Sequence, residues 1–307
     1  MSMATRDAYG KALAELGGRN KDIVVLDADL SRSTKTGDFF DLYPERFFNI
    51  GIAEANMVGI AAGFATTGKI PFVSTFAIFG TMRAADQVRN SICYPNLNVK
   101  LALTHAGITL GEDGASHQTV EDISVMRTLP NMTVIVPADG EEARQAVNAA
   151  AEYVGPVYLR LGRPKVPAVF DSSYKFEIGK GVVVHEGDDV TVIACGIMLS
   201  PALEAARELA DQGVSVRVIN MPTIKPIDRD LIIAAARETK GIVTAEEHSI
   251  IGGLGSAVAE VVSESVPTKV LRVGVMDTFG ESGKPDELLQ KYGLTKEHIV
   301  SKIKEII

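Results

Sequence analysis

The sequence predicts an α/β protein made of two doubly wound units, on three observations. Short apolar runs bounded by polar residues recur along the chain, helix-length segments separate them, and this alternation breaks once, between Gly162 and Asp189, before resuming. Continuous apolar runs suit strands of a parallel sheet, whose two faces are both covered by helices. Taken in order, ATRDAYGKALAELGG reads as a helix closed by Gly17 and Gly18, and DIVVLDAD as a buried strand. AEANMVGIAAGFATTG reads as a helix rich in small residues, IPFVSTF as a strand, TMRAADQVRNSICY as a helix and VKLALTHAG as a strand. VEDISVMRTL, MTVIVPAD, EEARQAVNAAAEY and PVYLRLG continue as helix, strand, helix and strand. The segment RPKVPAVFDSSYKFEIGKGVVVHEGDD lacks periodicity and carries Pro and Gly near its ends, which places a linker at 166–187 between domains at 1–165 and 188–307. Beyond it VTVIACG, SVRVIN, GIVTAEE and TKVLRVG read as four strands with intervening helices, and PDELLQKYG and TKEHIVSKIKEII as terminal helices.

Composition narrows the function classes. With 307 residues, 46% hydrophobic and 23% charged, the chain has globular composition, which excludes disordered, collagen-like and disulfide-scaffold classes. The 31 Lys and Arg against 39 Asp and Glu give a net charge of -8, which argues against a nucleic-acid partner. Two cysteines, Cys93 and Cys195, sit in apolar runs and read as buried free thiols in a reducing compartment. The first residues carry charges where a signal peptide needs an apolar stretch, and no run long enough to span a bilayer occurs, so a cytoplasmic protein without a membrane partner is expected.

Ligands of parallel α/β sheets bind beyond the carboxyl ends of the strands, and polar residues crowd those places in the first unit. Glu54, in GIAEANM, opens an apolar helix. It either satisfies a terminal N–H or is a buried carboxylate that shares a proton with a ligand nitrogen. His105 and His117 flank Asp113 in a glycine-rich loop, a set able to hydrogen-bond hydroxyls and move protons, or else to brace the loop; its spacing is poor for a metal. Phe76 and Phe79, just past a strand end, are either core residues or a flat wall for a heteroaromatic ring. Arg6 and Arg163 are candidate phosphate ligands by charge, with surface roles as the alternative. His248 lies at a strand end, and GGLG at 252–255 opens a helix able to receive an anion.

In this order, DADLSRS, GIAEANM, STFAIF, THAGITLGEDGASHQTVED, LPNMTVIVPAD and LRLGRPK resemble the pyrimidine-binding domain of transketolases, and the second unit resembles that family's C-terminal domain. The family's diphosphate-and-metal motif, GDG followed further on by Asn, occurs nowhere in the sequence. The resemblance therefore implies the C-terminal subunit of a split transketolase that moves a two-carbon ketol unit between sugar phosphates in the pentose phosphate pathway. It implies thiamine diphosphate at a subunit interface, with Mg2+ or Ca2+ held by an N-terminal partner and no metal ligand here. Self-association into a heterotetramer follows from the family's dimer.

Residue by residue, the resemblance makes Glu54 the carboxylate that hydrogen-bonds the pyrimidine nitrogen and promotes the imino form that deprotonates the thiazolium. It makes Phe76 the stacking ring, Phe79 its companion, Met82 the replacement for a third aromatic, and Asp29 a residue near the cofactor interface. His105 and His117 are implied to contact the transferred unit and the sugar hydroxyls, Asp113 an acceptor hydroxyl, and Arg6, Ser33 and Arg163 the phosphate. A 2-oxoacid dehydrogenase beta subunit, a deoxyxylulose-phosphate synthase fragment and a non-catalytic regulatory subunit are the competing readings. GEDGASHQ argues against the first of these.

Overall fold

Successive residues of the strand Ile23–Asp27 feed two different cores, which is the physical content of a strand covered on both faces. Ile23 and Val25 pack with Phe72, Ala102 and Leu159 against the helices Thr5–Arg19 and Gly140–Glu152. Val24 and Leu26 pack on the opposite side with Val73, Leu101 and Leu103 against Met57 and Val58 of the helix Glu54–Thr66. The structure, a computed structural model, describes residues 2–307.

The first sheet has seven strands in the order Thr223–Lys225, Thr133–Ile135, Val157–Arg160, Lys100–Leu103, Ile70–Ser74, Ile23–Asp27 and Phe47–Asn49. All neighbours are parallel except the first pair. The second sheet orders Val270–Val275, Ile242–Ser249, Val190–Ala194, Val216–Asn220 and an antiparallel Val182–His185. One face of this sheet, with Ile193 and Ile219, shares the core of Leu101 and Val134, so a single apolar cluster runs through both units. Among the described residues no helix is long and apolar enough to cross a membrane.

Four elements differ from the sequence expectation. The first helix runs through Gly17 and Gly18 to Arg19; a Cβ on Gly17 would lie 2.5 Å from the Phe39 ring and 2.6 Å from that of Tyr43, so this glycine admits aromatic rings against the helix rather than ending it. The segment read as the helix TMRAADQVRNSICY is instead a short α turn, Ala85–Gln87, between π-helical turns Phe79–Arg83 and Val88–Cys93. Residues 182–185, inside the stretch read as linker, form the edge strand of the second sheet. Thr223–Lys225, on the second unit's side of the chain, adds a strand to the first sheet. Strands this short carry too little periodicity to be seen before their tertiary pairing exists.

Candidate active site

The first sheet gathers its polar residues where the strands end. Asp27, the last residue of its strand, is fully buried and accepts hydrogen bonds from the Leu30 N–H at 2.6 Å, Thr34 Oγ1 at 2.7 Å and Thr36 Oγ1 at 2.9 Å. These bonds fold the following turn, Ser31–Thr34, back over the strand end and so place Ser33 and Lys35. Burial raises the Asp27 pKa, against the pull of the three donors. Asp29 itself is exposed, in a left-handed conformation (φ 64°), and bonds to Asn49 at 2.9 Å.

The strands ending at Ser74 and Leu103 continue side by side through a parallel bridge between Phe76 and Thr104. Phe76 therefore meets His105, their ring centroids 3.9 Å apart and the planes 28° from parallel. Phe79 stacks on Phe76 at 5.8 Å, and His117 presents an edge to Phe79 at 5.3 Å. Leu110 completes this buried cluster. The structure thus brings Phe76, Phe79, His105 and His117 together; Met82, on the same π turn, is exposed and stands outside their buried cluster.

His105 has fixed hydrogen-bond roles. The Arg6 guanidinium, which only donates, reaches Nε2 at 2.9 Å, so the ring proton belongs on Nδ1 and is donated to Thr104 Oγ1 at 2.8 Å. Burial, reinforced by the positive charges of Arg6, Arg163 and Lys35, pushes the His105 pKa down to about 3. Arg6 also donates to the Ser33 carbonyl at 3.0 Å, while its buried Nε has no partner among the described residues. That spare donor beside a neutral imidazole fits an anionic or hydroxylated ligand. Arg163 donates to the Leu110 carbonyl and to Glu112, 3.2 Å away. Asp113 is exposed on the same loop and makes no hydrogen bond to the cluster.

Glu54 is 5% exposed at the first position of its helix. Its carboxylate caps no helix N–H; it accepts from Nη1 of Arg83 at 3.2 Å. Arg83 in turn lies over the Phe79 ring, 4.0 Å from its centroid. A buried carboxylate beside a flat aromatic wall fits a heteroaromatic ring with a nitrogen able to share a proton.

Sequence reasoning missed Arg83, Lys35, Thr104 and Asp27. A weak signal existed for Arg83, which follows Phe79 by four residues, about one helical turn. Asp27 and Thr104 carry only the general signal of a polar residue at a strand end, and Lys35 none, because their partners are set by the tertiary fold. Conversely, the helix start at GGLG already has its anion: Glu246 accepts from the N–H groups of Leu254 at 2.7 Å and Gly255 at 2.8 Å. His248 is buried, receives the Ser124 N–H on Nε2 at 3.3 Å and reaches the Ser249 carbonyl through Nδ1, which makes it a brace between the units. Cys93 and Cys195 are buried free thiols, and burial pushes Cys93 up to about 11. No group of three or more His, Cys, Asp or Glu able to hold a metal occurs among the described residues.

With this geometry in place, the comparisons with known proteins identify the class. The family model described as "Transketolase, pyrimidine binding domain" matches residues 1–169, and "Transketolase, C-terminal domain" matches residues 179–299. The chain belongs to the transketolase family. A transketolase C-terminal section from Methanocaldococcus jannaschii is 50% identical, over 98% of this chain and 95% of that protein. The 6-deoxy-6-sulfo-D-fructose transketolase subunit of a Clostridium strain is 44% identical, over 98% of this chain and 94% of its own length. A solved structure titled "Split gene transketolase, inactive beta4 tetramer" superposes with a TM-score of 0.92 at 57% identity, covering 100% of this chain and 98% of that one.

Proposed function

We propose that the chain is the C-terminal subunit of a two-polypeptide transketolase in the cytoplasm, transferring a two-carbon ketol unit between sugar phosphates together with a separate N-terminal subunit. The observation that carries this reading is Glu54, buried beside the Phe76–Phe79 pair with its carboxylate turned away from its own helix. Relatives of the same length named as a C-terminal section, a subunit and a split gene product support the division into two chains. In this reading the partner holds the diphosphate and its Mg2+ or Ca2+, and pairs of each subunit form a heterotetramer.

Bound thiamine diphosphate would supply the carbon nucleophile that takes up the two-carbon unit. This chain's residues do the rest of the local work. Glu54 holds the proton shared with the pyrimidine nitrogen, Phe76 and Phe79 stack the ring, and Met82 and Asp29 border it. His105, neutral and protonated on Nδ1, accepts from a substrate hydroxyl on Nε2 once the substrate draws Arg6 away from it, His117 contacts the sugar hydroxyls, and Asp113 reads an acceptor hydroxyl. Arg6, Arg163 and Ser33 receive the anionic end of the sugar, which orients the reacting carbonyl inward. Transfer within the pentose phosphate pathway is the assignment we favour. The Clostridium relative is named for a sulfonated sugar, and guanidinium groups accept a sulfonate or a phosphate alike.

Reconstitution tests this. The chain is mixed with an N-terminal subunit carrying GDG and Asn, and ketol transfer from a ketose phosphate to an aldose phosphate is measured beside pyruvate decarboxylation. Transfer without decarboxylation is expected, and Glu54→Gln should lower it by about 100-fold or more while the unfolding midpoint barely moves. Near-normal turnover by Glu54→Gln, with about 1 kcal/mol of lost stability, would return Glu54 to a merely structural role.

A further inference from the structure

A carboxylate taken out of water needs a partner, and the one Glu54 has comes from an unexpected place. Nη1 of Arg83 donates to Glu54 Oε1 at 3.2 Å across 29 residues of sequence. The same guanidinium lies 4.0 Å from the centroid of the Phe79 ring, in cation–π geometry. One side chain therefore covers both the carboxylate and the aromatic face beside it, the two features that define the ring site. Its hold is light: the Arg83 side chain is 54% exposed, and the bond to Glu54 is its one side-chain hydrogen bond among the described residues. Arg83 also closes a π turn, Phe79–Arg83, at whose C-terminal end Ala84 is not helical (φ −104°, ψ 13°), so the side chain leaves from a junction between two turns rather than from the middle of a rigid helix.

We propose that Arg83 is a resident competitor for the pyrimidine site, neutralising Glu54 and covering Phe79 until the cofactor ring takes both contacts and the guanidinium swings into solvent. The inference rests on the reading of Glu54 given under the proposed function, and it adds a control on that site. Two consequences have opposite signs. Without a ligand Arg83 relieves a buried negative charge, so it stabilises the free subunit. During binding its contacts must be given up, so it weakens apparent affinity in proportion to the fraction of molecules in which it occupies the site. A residue that merely oriented Glu54 toward the ligand would do the reverse, and its loss would weaken binding.

The experiment uses the full chain assembled with its N-terminal subunit. The chain has no Trp, so thiamine diphosphate binding is followed by calorimetry, and the melting temperature of the free chain is recorded alongside. Arg83→Met should bind the cofactor about tenfold more tightly than the wild type. It should also melt at a lower temperature when unliganded. Arg83→Lys, which keeps the charge but not the planar cover, should fall between them and serves in place of the Met variant should that one not fold. Unchanged or weaker affinity in both variants overturns the proposal. Glu54→Gln in the same titration separates the two ideas: unaltered affinity there removes the reading of Glu54 itself, whereas weakened affinity together with a tightened Arg83→Met supports both.

Discussion

His105 shows how much of this site is decided by the surroundings of one ring. Its backbone is left-handed (φ 61°), its face lies against Phe76, and each ring nitrogen has a partner whose chemistry fixes the proton on Nδ1. The sequence shows two histidines and a carboxylate able to move protons; the structure makes His105 a neutral hydrogen-bonding group. Because its folded pKa lies below the ordinary value of 6.5, the folded state takes up fewer protons there, so the associated stability is present above pH 6.5 and declines as pH falls toward 3. Nitrogen-detected NMR should therefore show His105 unchanged, with Nδ1 protonated, from pH 8 down to pH 5. A midpoint near 6.5 would mean that the cage of Arg6, Arg163 and Phe76 does not hold the ring. Glu54, Phe76 and Phe79 were legible from their place after strand ends. Arg83 was not, because nothing in the local pattern says that a guanidinium will cross to a carboxylate on another helix.

At the scale of elements, alternation revealed most strands and helices, and what it missed is what tertiary pairing alone creates. The helix Gly140–Glu152 is an instance of both. Asp139 and Glu142 have the spacing of a capping box, and Asp139 Oδ1 does accept from the Glu142 N–H at 2.9 Å. Its other oxygen, Oδ2, accepts from Val169 and Phe170, at 2.7 and 2.8 Å, in the stretch read as linker. Glu142 accepts from the Ala138 N–H at 2.7 Å, Tyr174 Oη at 2.6 Å and Asn220 Nδ2 at 2.7 Å, so one buried carboxylate ties the helix to the linker stretch and to the second sheet. Burial raises its pKa to about 7 in spite of these donors. A raised pKa means that the folded state holds a proton the unfolded chain has released. The associated stability is complete below about pH 4.5 and is lost as pH rises through about 7. Glu142→Gln should flatten that dependence, so the change in melting temperature between pH 5 and pH 8 should shrink relative to the wild type. An equal change in both proteins would mean that Glu142 does not titrate in this window.

For the whole molecule, the decisive fact is that the second unit clamps a loop of the first unit's site. Arg160, at the end of a first-sheet strand, donates to Asp122 at 2.6 and 3.1 Å and to the Glu247 carbonyl at 3.0 Å. The Glu247 carboxylate accepts the Thr109 N–H at 2.7 Å, pinning the turn Ile108–Leu110, and Leu110 packs on Phe76 and Phe79. Gly107 is needed just before it: with φ 83° and a would-be Cβ 2.2 Å from the Glu247 carboxylate, a side chain there would collide with the clamp. Burial alone would raise the Asp122 pKa, but the Arg160 guanidinium overcomes it and holds the carboxylate ionised below its ordinary range. Asp122→Ala would leave Arg160, 6% exposed, as an uncompensated buried charge, at a cost of about 3–5 kcal/mol. Because one apolar core runs through both units, that loss should appear as an earlier but still single denaturant transition, with far- and near-ultraviolet circular dichroism moving together. A loss under about 1 kcal/mol would mean that Arg160 is compensated without Asp122, and two separated transitions would mean that the units unfold independently and that the ring site owes nothing to the second of them.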